Sequence, residues 1–136
     1  MPEFGEKSKA LLATCDPDLV LVMERVVRLV DITIICGHRS EADQNAAVAS
    51  GNSKARWPNS RHNSTPSQAV DWAPWGPGNT IDWSDTSRFF YTAGVIFGVA
   101  IELGIDNIRN GADWRRDGRT KGQTFEDLGH TELVKE

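Results

Sequence analysis

Two histidines and one aspartate, divided between segments far apart in the chain, constrain the fold more than any other feature. Ser60-Arg61-His62 precedes the run Gln68-Ala69-Val70-Asp71-Trp72-Ala73, and Asp127-Leu128-Gly129-His130 runs into Thr131-Glu132-Leu133. Gln68 to Ala73, closed by Pro74, and Gly129 to Val134 both read as short strands. Side chains alternate across a strand, so Ala69, Asp71 and Ala73 share one face, while Val70 and Trp72 take the other. By the same rule His130 and Glu132 share a face, and Thr131 and Leu133 point away. Pairing the two strands brings Asp71 and His130 together, and His62, entering from the preceding loop, completes a cluster of three. The small alanines beside Asp71 leave space around its carboxylate.

Two imidazoles and a carboxylate form a mixed nitrogen and oxygen donor set with a fourth position left for water. That is how catalytic zinc sites differ from structural ones, which are closed by four protein ligands. Asp127, three residues before His130, is a spare acid. The spacing is not that of the helical H-E-x-x-H site. A lone histidine or aspartate is more often structural; the pattern gains weight because the chain has only three histidines and two of them fall here. The residues by themselves point to a metal-dependent hydrolase.

At 136 residues and 15.0 kDa the chain is expected to form one domain spanning residues 1–136, with enough material for a core. An apolar fraction of 39% with 25% charged residues is ordinary for a globular protein and too apolar for disorder. A net charge of −4, with no basic block longer than Arg115-Arg116, argues against a nucleic-acid partner. No apolar run reaches the length of a membrane span, so membrane insertion is not expected. The N-terminal stretch lacks the apolar core of a secretory signal, which implies synthesis and first residence in the cytoplasm. Cys15 and Cys36 are too few for a disulfide scaffold and lack metal-site spacing; they read as buried or half-buried thiols, to be paired only in an oxidising space.

Asp16-Pro17-Asp18 reads as a helix start, with Asp16 as the N-cap and Pro17 at the first helical position. Leu19, Val22, Met23, Val26, Val27 and Val30 then recur at helical spacing. Ile32 to Cys36 is a β-branched run and predicts a buried strand, ending at Gly37-His38-Arg39. Ser40-Glu41-Ala42-Asp43 resembles a capping box for a second, alanine-rich helix that Gly51 stops. Residues 51–67 predict an irregular loop. Ser84 or Asp85 caps a long helix with Phe89, Phe90, Ala93, Phe97, Ala100 and Ile101 on its stripe, ended by Gly104. Ile105 to Asn110 is a further candidate strand, followed by a polar loop from Trp114 to Thr124. Asp113 and Asp117 in that region suggest calcium, but Arg115, Arg116, Arg119 and Lys121 make the loop cationic and argue against it. The fold class is α+β: helices packed on a small antiparallel sheet.

The same residues carry a family resemblance. The chain resembles the LAS-type zinc peptidases, the D-alanyl-D-alanine carboxypeptidase and VanX/VanY group, and most closely the phage L-alanyl-D-glutamate endopeptidases that act as endolysins. Ser60-Arg61-His62, Ala69-Val70-Asp71 and Asp127-Leu128-Gly129-His130 stand where that family has S-x-H, A-x-D and an acid three before a final histidine. Matches extend through Phe4-Gly5 with Ser8 and Leu11, Gly37-His38-Arg39-Ser40 with Gln44, Asp71-Trp72-Ala73-Pro74, Ile81-Asp82-Trp83, Gly111-Ala112-Asp113-Trp114 and His130-Thr131-Glu132-Leu133. One departure is the spacer between His62 and Asp71, which is longer here than in the family's common pattern, so a longer loop must fold back.

The resemblance implies a hedgehog/D-Ala-D-Ala-peptidase-like fold with Zn2+ held by His62, Asp71 and His130. It also implies Asp127 as general base and then acid, and Arg39 as the cation that neutralises the oxyanion or anchors a substrate carboxylate. Ser60 and Gln44 would bind substrate or support the site, while His38 is expected to line the cleft or be exposed. Trp72, Trp83 and Trp114 are expected in the core or the cleft wall. The substrate implied is the stem peptide of bacterial peptidoglycan, cut between L-Ala and D-Glu by a monomer that reaches the wall after a separate holin permeabilises the membrane. Two alternatives stay open: a D-Ala-D-Ala carboxypeptidase or dipeptidase of the same fold, and an inactive zinc-stabilised wall-binding module of a phage particle.

Overall fold

The computed structural model describes residues 2–123 and 127–135, which form helices packed around a four-stranded antiparallel sheet. Helix α1 (Glu6–Leu12) precedes α2 (Pro17–Val27), strand β1 (Ile32–Cys36) and α3 (Glu41–Ala49). A 3-10 turn (Arg61–Asn63), β2 (Ala69–Pro74), α4 (Thr86–Glu102), β3 (Ile108–Asn110) and β4 (His130–Leu133) complete the order. The strands lie in the order β1-β2-β4-β3. The central pair therefore joins the middle of the chain to its end, with Asp71 opposite His130 as alternation and pairing require.

Local chemistry sets most of the boundaries. The Asp16 carboxylate accepts from the Asp18 amide and Pro17 opens α2, while Ser40 accepts from the Asp43 amide at the start of α3. Asp85 caps α4 by accepting from the Arg88 amide. Helix α1 is assigned no element by the sequence reading. It is short and carries only two buried residues, Ser8 and Leu12, so no clear apolar stripe announces it. It is fixed by tertiary contact: Ser8 Oγ lies 3.1 Å from Thr33 Oγ1 and accepts from the Ile34 amide at 3.1 Å.

One face of the sheet supports the core. Trp72 is 1% exposed and stacks on Phe89 of α4, with ring centroids 5.9 Å apart. Leu19, Val22, Met23 and Val26 of α2 are wholly buried in the same cluster, as is Ile96 of α4. Phe97 and Ile101 depart from expectation, at 40% and 48% exposed; the buried stripe of α4 runs through Phe89, Thr92, Ala93, Ile96 and Ala100 instead. Trp83 also departs from it, being 60% exposed while stacking on Phe89 at 5.8 Å. The strand expected from Ile105 begins only at Ile108, because Ile105 closes the end of α4 by donating to Ala100 O. The polar loop is described from Trp114 to Gln123, and Thr124 lies outside the described residues.

A buried polar relay ties the two central strands together on the core face. Trp72 Nε1 donates to Thr131 Oγ1 at 2.9 Å, and Thr131 Oγ1 donates to Asn110 Oδ1 at 2.6 Å. Asn110 Nδ2 in turn donates to the Ala93 carbonyl of α4. Every polar group of this relay has a partner, which is the condition for burying it without a net cost. The relay fixes the β2–β4 register, and hence the opposition of Asp71 and His130 on the other face.

Candidate active site

The face of the sheet opposite Trp72 opens into a cleft of about 640 Å³ whose lining includes Arg39, Ser60, His62, Asp71, Asp127 and His130. Asp71, at the centre of β2, receives both imidazoles: His130 Nδ1 lies 2.9 Å from its Oδ1, and His62 Nε2 lies 3.3 Å from its Oδ2. The two rings meet edge to face with centroids 5.3 Å apart. Both histidines that the sequence singles out thus meet Asp71, each at a different carboxylate oxygen.

The long spacer between His62 and Asp71 folds back through backbone bonds. Ser67 N donates to Thr14 O and Asp16 N to Ser67 O, while Gln68 N donates to Arg61 O. Ser60 caps the 3-10 turn, its side chain accepting from the His62 amide, with Asn63 Oδ1 accepting from the Ser60 amide in return. The turn is then pinned to the end of β1: Arg39 N donates to His62 O, Asn63 Nδ2 donates to Arg39 O, and His62 Nδ1 lies 2.7 Å from Gly37 O. A carbonyl can only accept, so Nδ1 carries the proton and Nε2 is the nitrogen turned to Asp71.

Arg39 reaches the site from the same segment, with Nη2 donating to Asp71 Oδ2 at 3.4 Å and Nη1 to Gln44 Oε1 at 3.0 Å. Gln44 is fully buried and does not line the cleft. Its Oε1 also accepts from Asn63 Nδ2, and its Nε2 donates to Ser53 Oγ and Ala55 O. Of the two roles the sequence leaves for Gln44, these contacts fit support of Arg39 and the cleft wall, since all its polar atoms are engaged by protein. His38 is half-buried and lies outside the cleft lining.

Asp127 sits at the rim with its side chain 47% exposed and Oδ2 3.7 Å from His130 Nδ1. Gly111 holds it there by close approach: its amide donates to His130 O, its carbonyl accepts from Asp127 N, and a Cβ at this position would run into the Asp127 carbonyl. Gly129 has φ +87, and a Cβ there would meet the Trp72 carbonyl, so this position demands glycine on both counts. The chain can therefore deliver Asp127 and His130 side by side in one tight turn.

The electrostatics centre on Asp71. Burial raises its carboxyl, but hydrogen bonds and charge from His130 and His62 outweigh this and hold it well below the usual carboxylate range. Burial pulls both imidazoles down, yet Asp71 raises His62 to about 10, and Asp71 with Glu132 raises His130 to about 9. Asp71 thus sits where positive charge is strongly favoured, whether protons or a cation supply it. Burial raises Asp127, partly opposed by the charge of His130. Such a carboxylate is a better proton acceptor than an exposed one.

Two features escape the sequence reading. Cys36, which reads as a thiol without metal-site spacing, pairs across the sheet with Asp71, and the ligand atoms of Cys36, His62 and Asp71 lie within 4.8 Å of one another. These three could hold a metal ion. Only the pairing of β1 with β2 reveals this, because nothing in the spacing of Cys36 does. The second is Glu132, only 6% exposed, whose Oε1 lies 2.8 Å from His130 Nε2 and whose Oε2 forms ion pairs with Arg61 and Arg109. Strand alternation places it on the face of His130 but says nothing of its two arginines.

In the loop after β3, the Asp113 carboxylate accepts from the Asp117 and Gly118 amides, closing a turn. Trp114 lines the cleft, with its ring centroid 5.6 Å from that of His130.

Comparison with known proteins gives this geometry its context. The family model described as phage L-alanyl-D-glutamate peptidase matches residues 2–134. The chain is 36% identical over 138 residues to the L-alanyl-D-glutamate peptidase of Escherichia phage T5, covering 97% of this chain and 98% of that one. Its structure is similar to the crystal structure of the Serratia marcescens L-Ala D-Glu endopeptidase ChiX, with a TM-score of 0.76 and 28% identity over 97% of this chain and 90% of that one. A match over nearly the whole chain shows that this chain belongs to the phage L-alanyl-D-glutamate peptidase family.

Proposed function

We propose that the chain is a zinc-dependent peptidoglycan endopeptidase that hydrolyses the L-Ala–D-Glu bond of the stem peptide. The observation that carries this is the approach of His62 Nε2 and His130 Nδ1 to the two oxygens of Asp71, with Asp127 beside them in an open cleft. The donor types suit zinc, two nitrogens and one carboxylate where positive charge is favoured, and His130 would join His62 and Asp71 by drawing its Nδ1 from Asp71 onto the ion. Bound there, a zinc ion supplies Lewis acidity and lowers the pKa of a water ligand toward ~7.

The protein groups divide the remaining work. Asp127 takes the proton of the attacking water and delivers it to the amine of D-Glu as the carbon–nitrogen bond breaks, leaving L-Ala with a new carboxylate. Arg39, held by Gln44, faces the negative charge that develops on the carbonyl oxygen, and a fixed cation there needs no reorganisation during reaction. Ser60 sets the His62 turn and lies at the cleft, within reach of a bound peptide. Cys36, whose thiol lies near His62 and Asp71 but not in the cleft lining, is left out of this ligand set, because a soft thiolate in the fourth position would displace the water.

The substrate is the bacterial cell wall, and the enzyme acts as a monomer. Among the described residues no helix is long and apolar enough to cross a membrane. Passage to the wall through a lesion made by a separate holin fits this reading.

The test is mass spectrometry of fragments released from purified sacculi, with and without a chelator. New D-Glu amino termini that vanish with chelator and return with zinc are the expected result. New D-Ala ends alone would make the chain a carboxypeptidase of the same fold, and no release at all would make it an inactive module.

A further inference from the structure

Glu132 is buried, charged and used by neither ligation nor proton transfer in the scheme above. A carboxylate that deep persists only where its charge is compensated. Its Oε2 forms an ion pair with Arg61 Nε at 2.8 Å and accepts from Arg109 Nη2 at 2.7 Å, and its Oε1 lies 2.8 Å from His130 Nε2. Arg61 immediately precedes His62 in the 3-10 turn, and Arg109 is the cross-strand partner of Glu132 in β3. Arg109 also lies over the Trp114 ring, 5.2 Å from its centroid. One carboxylate thus links the turn that carries His62, the strand that carries His130 and the edge of the sheet.

We propose that Glu132 is the positioning residue of the metal centre, selecting the tautomer of His130 and spacing the two histidine segments through Arg61. This rests on the metal reading above. A neutral imidazole has two tautomers of similar energy, and an anionic acceptor fixed at Nε2 keeps the proton there. The lone pair of Nδ1 then points toward Asp71, and the negative partner makes that nitrogen a stronger donor. The two arginines complete the device. By occupying Oε2 they keep Glu132 from swinging toward the ion and filling the position that water needs. They also hold the carboxylate from two sides, Arg61 from the turn and Arg109 from the neighbouring strand.

Zinc affinity, measured by competition with a chromophoric chelator, tests this on the wild type, Glu132→Gln and Arg61→Met. Glutamine keeps the shape but replaces one oxygen with an amide that must face either the His130 N–H or the arginines, donor against donor. Zinc binding is expected to weaken by roughly 10–100-fold in Glu132→Gln and by less in Arg61→Met. Long-range proton–nitrogen spectra of the zinc-loaded wild type should place the His130 proton on Nε2 and the metal on Nδ1, and this decides the matter even if a variant fails to fold. Wild-type affinity in Glu132→Gln, or metal on Nε2 of His130, would overturn the proposal. A wild type that binds no zinc would remove the metal reading itself, and this inference with it.

Discussion

Asp127→Asn separates the chemistry at the cleft from its architecture. The backbone of residue 127 is held by Gly111 O and its carbonyl accepts from the His130 amide, and both contacts survive the substitution. Asparagine fills the same volume at the rim, where the side chain is 47% exposed, but it cannot accept a proton. A general base contributes typically about 10²–10⁴-fold. At ~1.4 kcal/mol per tenfold this is a barrier increase of roughly 3–5 kcal/mol. Because the same carboxylate both accepts the proton of water and returns it to the leaving amine, the loss should fall toward the upper end. The substitution should leave KM nearly unchanged, since the interaction forms mainly in the transition state. Zinc content should stay at one per chain, because His62, Asp71 and His130 are untouched. The assay is steady-state hydrolysis of a purified stem peptide alongside elemental analysis. A kcat within about tenfold of wild type, with full zinc occupancy, would refute the role of Asp127.

Further expectations follow from other parts of the molecule. Stripped of metal, the protein should lose stability as pH rises from about 6.5, the ordinary histidine value, through the raised values of about 10 for His62 and about 9 for His130. The sign follows because the folded state binds those protons more tightly than the unfolded chain; melting curves that are flat from pH 6 to 10 would contradict it. Thr131→Val leaves Trp72 Nε1 and Asn110 Oδ1 without their buried partner and should cost about 1–3 kcal/mol in denaturant unfolding. Gly129→Ala forces a side chain into left-handed backbone against the Trp72 carbonyl and should destabilise by more than about 2 kcal/mol, with loss of zinc. Cys36→Ser should retain zinc and activity, and loss of the metal would move Cys36 into the ligand set.

Much of the site was legible because it rests on strand alternation. The faces of Asp71 and His130 follow from period two, and the pairing of the middle strand with the last one sets Asp71 opposite His130. The caps at Asp16 and Ser40 were legible too, and that of α4 to within Ser84 or Asp85, because each is a local bond between a side chain and a backbone amide a few residues on. What stayed hidden depends on contacts between distant segments. Helix α1 has too few buried residues to show a stripe, and the burial of Ile96 in place of Phe97 depends on how α4 rolls against α2 and the sheet. Cys36 approaches His62 only through the β1–β2 pairing, whose register shifts between Ile34 and Cys36. Gln44 reads as a group facing substrate or supporting the site; only its four side-chain bonds show which partners it meets.

The central claim is that His62, Asp71 and His130 together hold one catalytic metal ion. Anomalous diffraction at the zinc edge from crystals of the zinc-loaded protein tests it most directly. A single peak is expected at about 2.0–2.2 Å from His62 Nε2, an Asp71 oxygen and His130 Nδ1, with the fourth position open to the cleft. A peak bound by Cys36 in place of His130, or no peak at this site in an active preparation, would contradict it.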